Sequence, residues 1–174
     1  MTEKISAIQK LEAGWAQNRV VCVGLDTVPA RIPDVVRKMV SYSAPDRERE
    51  IIYQFNKAII DATKSVALAY KPQSAYYEAQ GISGIGALKQ TVEYIQSETN
   101  AAALDDAKRG DIDSTSEAYC QSIFDYLEFD GVTVSPYLGQ EKGLQPFFDR
   151  KDKLIIALDR TSNKGGDDLQ SRKM

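Results

Sequence analysis

VVCVGL, residues 20–25, is six residues long, rich in β-branched side chains and free of polar ones. A strand with one face in water alternates apolar with polar residues. A run without alternation reads as a strand buried on both faces, the mark of a parallel sheet. Four more runs of this kind follow: VALAY (66–70), AAAL (101–104), GVTV (131–134) and LIIAL (154–158). Between the runs the apolar spacing changes to three and four, the period of a helix. Ile5, Ile8, Leu11 and Trp15 precede the first run, and Val35, Val36, Met39 and Val40 follow it. Ile51, Ile52, Phe55, Ile59 and Ala62 line one face of a longer helix, and Ile82, Ile85, Leu88, Val92 and Ile95 line another. Ser114 and Glu117 have the spacing of a capping box, which predicts a helix from there to about Phe129. Leu144 to Phe148 reads as a short helix, and SYSAPDRERE (41–50), with Pro45, as a surface loop.

Strands that alternate with helices predict an α/β protein with right-handed crossovers. Two architectures fit: an open doubly wound sheet and a (β/α) barrel of the TIM type. No linker or low-complexity stretch divides residues 1–174, so one domain is expected. A closed barrel of this kind takes about 250 residues, and this chain has 174 with five readable strands. The barrel reading is therefore that of an incomplete one, with about five of eight strands.

Composition narrows the chemistry. Lys and Arg number 22 against 25 Asp and Glu, a net charge of −3, which argues against sequence-blind nucleic-acid binding. The chain has no histidine, which excludes Ser-His-Asp and Cys-His catalysis and any His-ligated metal. Cys22 and Cys120 are too few for a disulfide framework and read as small buried apolar side chains in a reducing compartment. No apolar run reaches the roughly 18 residues of a membrane helix, and MTEKISAIQK shows no secretory signal. A soluble cytoplasmic protein is the expectation.

In parallel α/β folds chemistry gathers where strands end and loops begin. Asp26 follows the first run, Lys71 the second, and Asp106 and Lys108 the third. Ser135 and Pro136 follow the fourth, and Asp159, Arg160, Thr161 and Ser162 the fifth. Opposite charges that end three successive strands converge on one mouth. At the centre stands DDAKRGDID (105–113), in which Asp106, Lys108 and Asp111 have the spacing D-x-K-x-x-D. A lysine flanked by carboxylates stays protonated and can donate a proton to a carbanion. A carboxylate that faces a substrate carboxylate raises the ground state, and loss of CO2 relieves it. Neither a metal nor an organic cofactor is required. GISGIG (81–86) lacks the lysine and Ser/Thr of a phosphate loop and reads as a plain loop and helix start. Tyr70, Tyr76 and Tyr77 read as packing.

The segments VGLD (23–26), FNKAIIDAT (55–63), AYKPQSAYYEAQG (69–81), DAKRGDI (106–112), TSEAY (115–119), DGVTVSPYLG (130–139) and RTSN (160–163) resemble the orotidine 5′-phosphate decarboxylases, in particular the longer bacterial branch, and occur in the family's order. The resemblance implies a (β/α) barrel, a homodimer, and cofactor-free, metal-free conversion of orotidine monophosphate to uridine monophosphate and CO2. It implies that Lys108 donates the proton to C6 of the pyrimidine, that Asp106 crowds the substrate carboxylate, and that Lys71 holds Asp106 and contacts the ribose. It assigns Asp111 to the charged network, reaching the other subunit's site, Asp26 to the ribose hydroxyls, Thr115 to assistance across the dimer interface, and Ser162 to the base. Neither nucleic acid nor membrane is an implied partner.

Three departures stand out. Asp105 occupies a position where the family places an apolar residue, and a carboxylate at the end of a buried strand is costly unless paired or protonated. Asp159 and Lys164 stand where an apolar residue or cysteine and a proline are expected. The family's phosphate grip comes from loops after its last strands, and the sequence ends before them, which implies a C-terminally truncated barrel. Two further readings follow: a catalytically impaired barrel that acts as a nucleotide-binding or dimerising protein, and an unrelated doubly wound small-molecule binding domain. Open strand edges would favour self-association.

Overall fold

The computed structural model describes residues 5–168, 170 and 171. Five strands form one sheet: β1 (Val21–Gly24), β2 (Ala67–Lys71), β3 (Ala102–Arg109), β4 (Gly131–Val134) and β5 (Leu154–Ala157). All neighbours are parallel and the spatial order is β1-β2-β3-β4-β5. That order settles the architecture. A doubly wound sheet reverses direction partway and carries a strand out of sequence. Here every strand pairs only with its sequence neighbours, which is the arc of a (β/α) barrel.

Period two divides the strands between two cores. Ala101, Ala103, Val132, Val134 and Ile155 point outward and pack with the helices. Ala69, Ala102, Leu104, Leu154 and Ile156 point to the barrel interior and meet Leu11 of helix α1 (Ala7–Trp15), which closes the bottom. Ser6 starts α1 with a capping box: its hydroxyl accepts the Gln9 N–H, and the Gln9 side chain accepts the Ser6 N–H. The helix is fastened by Lys10, whose ammonium lies 2.8–2.9 Å from both oxygens of Asp130. Asp130 is buried and also accepts the Ala103 N–H at 2.9 Å.

The outer layer contains α2 (Asp34–Met39), α3 (Arg47–Thr63), α4 (Ser74–Glu78) and α5 (Gly81–Glu98), then α6 (Asp113–Cys120) and α7 (Gln145–Phe148). Gly84 permits α5 to press on α4, because a Cβ there would collide with the Tyr77 carbonyl. At the centre of this layer Asn56 is fully buried and satisfied. It accepts from Thr27 Oγ1 at 2.5 Å and donates to Tyr77 Oη and Thr91 Oγ1, each at 3.0 Å. Tyr77 Oη donates in turn to the Leu25 carbonyl at 2.7 Å, so the loop after β1 is tied from behind.

Several expectations are corrected. SYSAPDRERE is a loop only as far as Asp46, whose side chain caps α3 by accepting the Arg49 N–H, with Glu48 and Glu50 favourably placed in the first turn. The Ser114 capping box does not form. Helix α6 begins at Asp113 with no side-chain cap, and Ser116 instead grips the Asp111 backbone, donating to its carbonyl at 2.7 Å. The helix runs on as a π-helical segment to Tyr126 rather than to Phe129. GISGIG is the start of α5, with Gly81 itself in a left-handed conformation at φ +62°. Tyr70 and Tyr77 are buried as expected, but Tyr76 is exposed. Cys120 is buried and Cys22 is exposed. Cys22 and Val21 lie on β1, which among the described strands pairs only with β2, and both are exposed. Among the described residues no helix is long and apolar enough to cross a membrane.

Candidate active site

Lys71 is the last residue of β2, and Asp106 and Lys108 lie within β3, whose pairing with β4 is regular as far as Asp105 and resumes at Arg109. Period two turns Ala102, Leu104, Asp106 and Lys108 toward one face, the barrel interior, so the apolar floor gives way to charge as the strand reaches the mouth. The two lysines hold the two carboxylate oxygens of Asp106 separately. Lys71 Nζ lies 2.7 Å from Oδ2 and Lys108 Nζ 2.5 Å from Oδ1. Thr133, the polar residue of the otherwise apolar β4, donates to Oδ1 at 3.0 Å. Burial alone would raise the Asp106 pKa, but the hydrogen bonds from Lys108, Lys71 and Thr133 outweigh it and bring it to about 2. Burial likewise works against the Lys71 ammonium; the Asp106 carboxylate, and Asp26 to a smaller degree, overcome it and raise its pKa.

Gly110 lets the chain leave β3 against the next strand end. A Cβ there would collide with the Ser135 carbonyl, and Ser135 donates its N–H to the Arg109 carbonyl at 2.6 Å.

Of the residues singled out in the sequence, Lys71, Asp106 and Lys108 are brought together in direct contact, with Asp26 exposed at the same mouth beside a cavity lined by Gly24, Leu25, Thr27 and Arg31. Asp111, Thr115 and Ser162 do not join them within this chain. Asp111 accepts the Ile112 N–H at 2.7 Å, Thr115 is exposed on α6, and Ser162 is exposed on the loop after β5. Thr133 was missed, although a lone threonine in GVTV is itself a signal.

Asp105 faces the other way, toward α4, and is 1% exposed. Ser74 Oγ donates to its Oδ1 at 2.5 Å. Burial pushes its pKa up to about 6, against the opposing pull of the Ser74 hydrogen bond and Arg109. The folded protein therefore holds this proton between pH 3.8 and 6 where the unfolded chain releases it. Rising pH through that window removes stability, and above pH 6 the whole cost is present. Asp105→Asn keeps the acceptor and cannot ionise. Urea unfolding is expected to find the variant equal to the parent near pH 4 and more stable by on the order of 2 kcal/mol at pH 8.

Residues 19–174 match the model of a family described as orotidine 5′-phosphate decarboxylase / HUMPS. The chain belongs to that family. It is 47% identical over 165 residues to an orotidine 5′-phosphate decarboxylase of Herpetosiphon aurantiacus, covering 94% of this chain and 57% of the relative. It is 43% identical over 162 residues to that of Roseiflexus castenholzii, covering 93% and 55%. Among solved structures, Leishmania donovani OMP decarboxylase superposes with a TM-score of 0.79 at 32% identity, covering 97% of this chain and 59% of that one. The chain thus spans somewhat more than half the length of the decarboxylases it matches, and the Lys71–Asp106–Lys108 array lies inside the shared part.

Proposed function

We propose that this chain carries the charged half of an orotidine 5′-phosphate decarboxylase site, acting on orotidine monophosphate in the formation of uridine monophosphate within the cytoplasm. The observation that carries the reading is the clamping of both Asp106 oxygens by Lys71 and Lys108 at the C-terminal end of the parallel sheet. A carboxylate held ionised there, with a pKa of about 2, repels a substrate carboxylate placed against it. The bond from C6 to the carboxyl carbon breaks, CO2 departs, and the electron pair left on C6 takes a proton from the Lys108 ammonium. Lys71 holds Asp106 and, with Asp26, meets the ribose; Ser162 meets the base. Asp111 and Thr115 act across a homodimer interface, which agrees with their position outside the cluster of their own chain. No cofactor or metal takes part.

The test is ligand-induced stabilisation together with CO2 release. Uridine monophosphate binds the product-shaped site, so about 100 Kd of it is expected to add roughly 2.7 kcal/mol to stability, visible as a rise in Tm of several degrees. Lys71→Ala should cancel that rise. A folded chain whose Tm is unmoved by millimolar nucleotide, and which liberates no CO2 from orotidine monophosphate, would overturn the reading.

A further inference from the structure

The ladder between β3 and β4 is irregular at one place. Asp105 pairs with Val132 and Arg109 with Val134, so three residues, Asp106 to Lys108, stand opposite Thr133 alone. A bulge of this kind re-aims side chains and is a device of active sites. Its cost is visible in the backbone. Lys108 has φ +50°, a left-handed conformation that a side chain with a Cβ rarely adopts, and it persists only where surrounding contacts enforce it.

The Thr133 hydroxyl supplies the contact. It accepts the Lys108 N–H at 3.0 Å and donates to Asp106 Oδ1 at 3.0 Å, the same oxygen that receives Lys108 Nζ. One hydroxyl has a single proton and two lone pairs, enough to serve in both directions. A closed ring results: the Lys108 N–H donates to Thr133, Thr133 donates to Asp106, and Asp106 accepts from the Lys108 ammonium. Thr133 is buried, so water does not readily replace it. A β-branched residue that only filled the strand would need its methyl and not its hydroxyl.

We infer that Thr133 is a positioning residue: its hydroxyl fixes the strained Lys108 backbone and the Asp106 carboxylate relative to one another. The kinetic consequence rests on the decarboxylase reading, whereas the structural consequence does not.

Thr133→Val keeps the shape and removes the hydroxyl; Thr133→Ser keeps the hydroxyl. The intact chain is labelled with 15N-lysine, and the Lys108 amide is assigned by its disappearance in Lys108→Ala. In Thr133→Val this amide is expected to shift and to exchange about 10-fold faster, while kcat for CO2 release falls about 10- to 100-fold with KM changed less than about 3-fold. The acid limb of the rate profile should move to higher pH, since Asp106 loses a donor. Thr133→Ser should restore amide and rate together. A Lys108 amide unmoved in Thr133→Val, or moved equally in Thr133→Ser, overturns the proposal. If the parent chain releases no CO2, the decarboxylase reading fails and the amide alone decides the role of Thr133. If Thr133→Val does not fold, a parental amide in Thr133→Ser upholds the proposal and a displaced one overturns it.

Discussion

Lys108→Ala is expected to abolish measurable CO2 release while leaving the fold intact. The Lys108 side chain reaches out of β3 and is 45% exposed, so its loss empties no core volume. Its ion-pair partner is Asp106, which keeps Lys71 and Thr133 as partners. Stability should therefore change by no more than about 1 kcal/mol. The chemical loss expected from its proposed role as proton donor is far larger. A positioned proton donor is worth roughly 10²- to 10⁴-fold in rate, and here the departing ammonium also unbalances the charge around Asp106. The check is turnover of orotidine monophosphate by parent and variant at equal concentration, with thermal unfolding alongside. An active Lys108→Ala variant would remove this lysine from the chemistry.

Asp130→Ala should damage the fold rather than the mouth. Asp130 lies at the opposite end of the barrel, where it receives Lys10 and the Ala103 N–H. Removing it leaves a largely buried ammonium with, among the described residues, Gln96 Oε1 at 2.9 Å and orphans a backbone donor between β3 and β4. Breaking a buried pair from one side costs about 3–5 kcal/mol, a large share of the roughly 5–15 kcal/mol that hold a domain folded. Urea unfolding should show the loss directly. The double variant Lys10→Met/Asp130→Asn removes both charges and keeps an acceptor for Ala103, so it should recover much of the stability. Equal losses in single and double variants would show that packing, not charge, fastens α1.

The five strands were legible because each apolar run is bounded by polar residues, and the convergence of Lys71, Asp106 and Lys108 followed from charges placed at strand ends. The choice between barrel and doubly wound sheet was not legible in the runs themselves, since run lengths say nothing of spatial order; it came from the family resemblance. The continuation of β3 through DDAKR was hidden because its charged residues look like a loop; they belong to a strand whose inner face carries the Asp106–Lys108 ion pair and whose outer face buries Asp105 against Ser74. The start of α3 was hidden for a related reason: RERE reads as solvent-seeking until Asp46 is recognised as its cap. The false cap at Ser114 had the right spacing, but Ser116, two residues on, makes the closer bond to the chain that precedes the helix. The exposure of Cys22 depends on which strand lies at an edge, a property of the assembled sheet.

The sequential order of the strands bears on how the molecule comes to be folded. Each of the four described ladders joins segments separated by a single crossover, so none of these four pairings must wait for a distant part of the polypeptide to be synthesised. Parallel pairings are slower to form than helical contacts, but here they can be laid down in the order of synthesis, the N-terminal part first. In that order Lys71, on β2, is synthesised ahead of the strand that brings it Asp106 and Lys108.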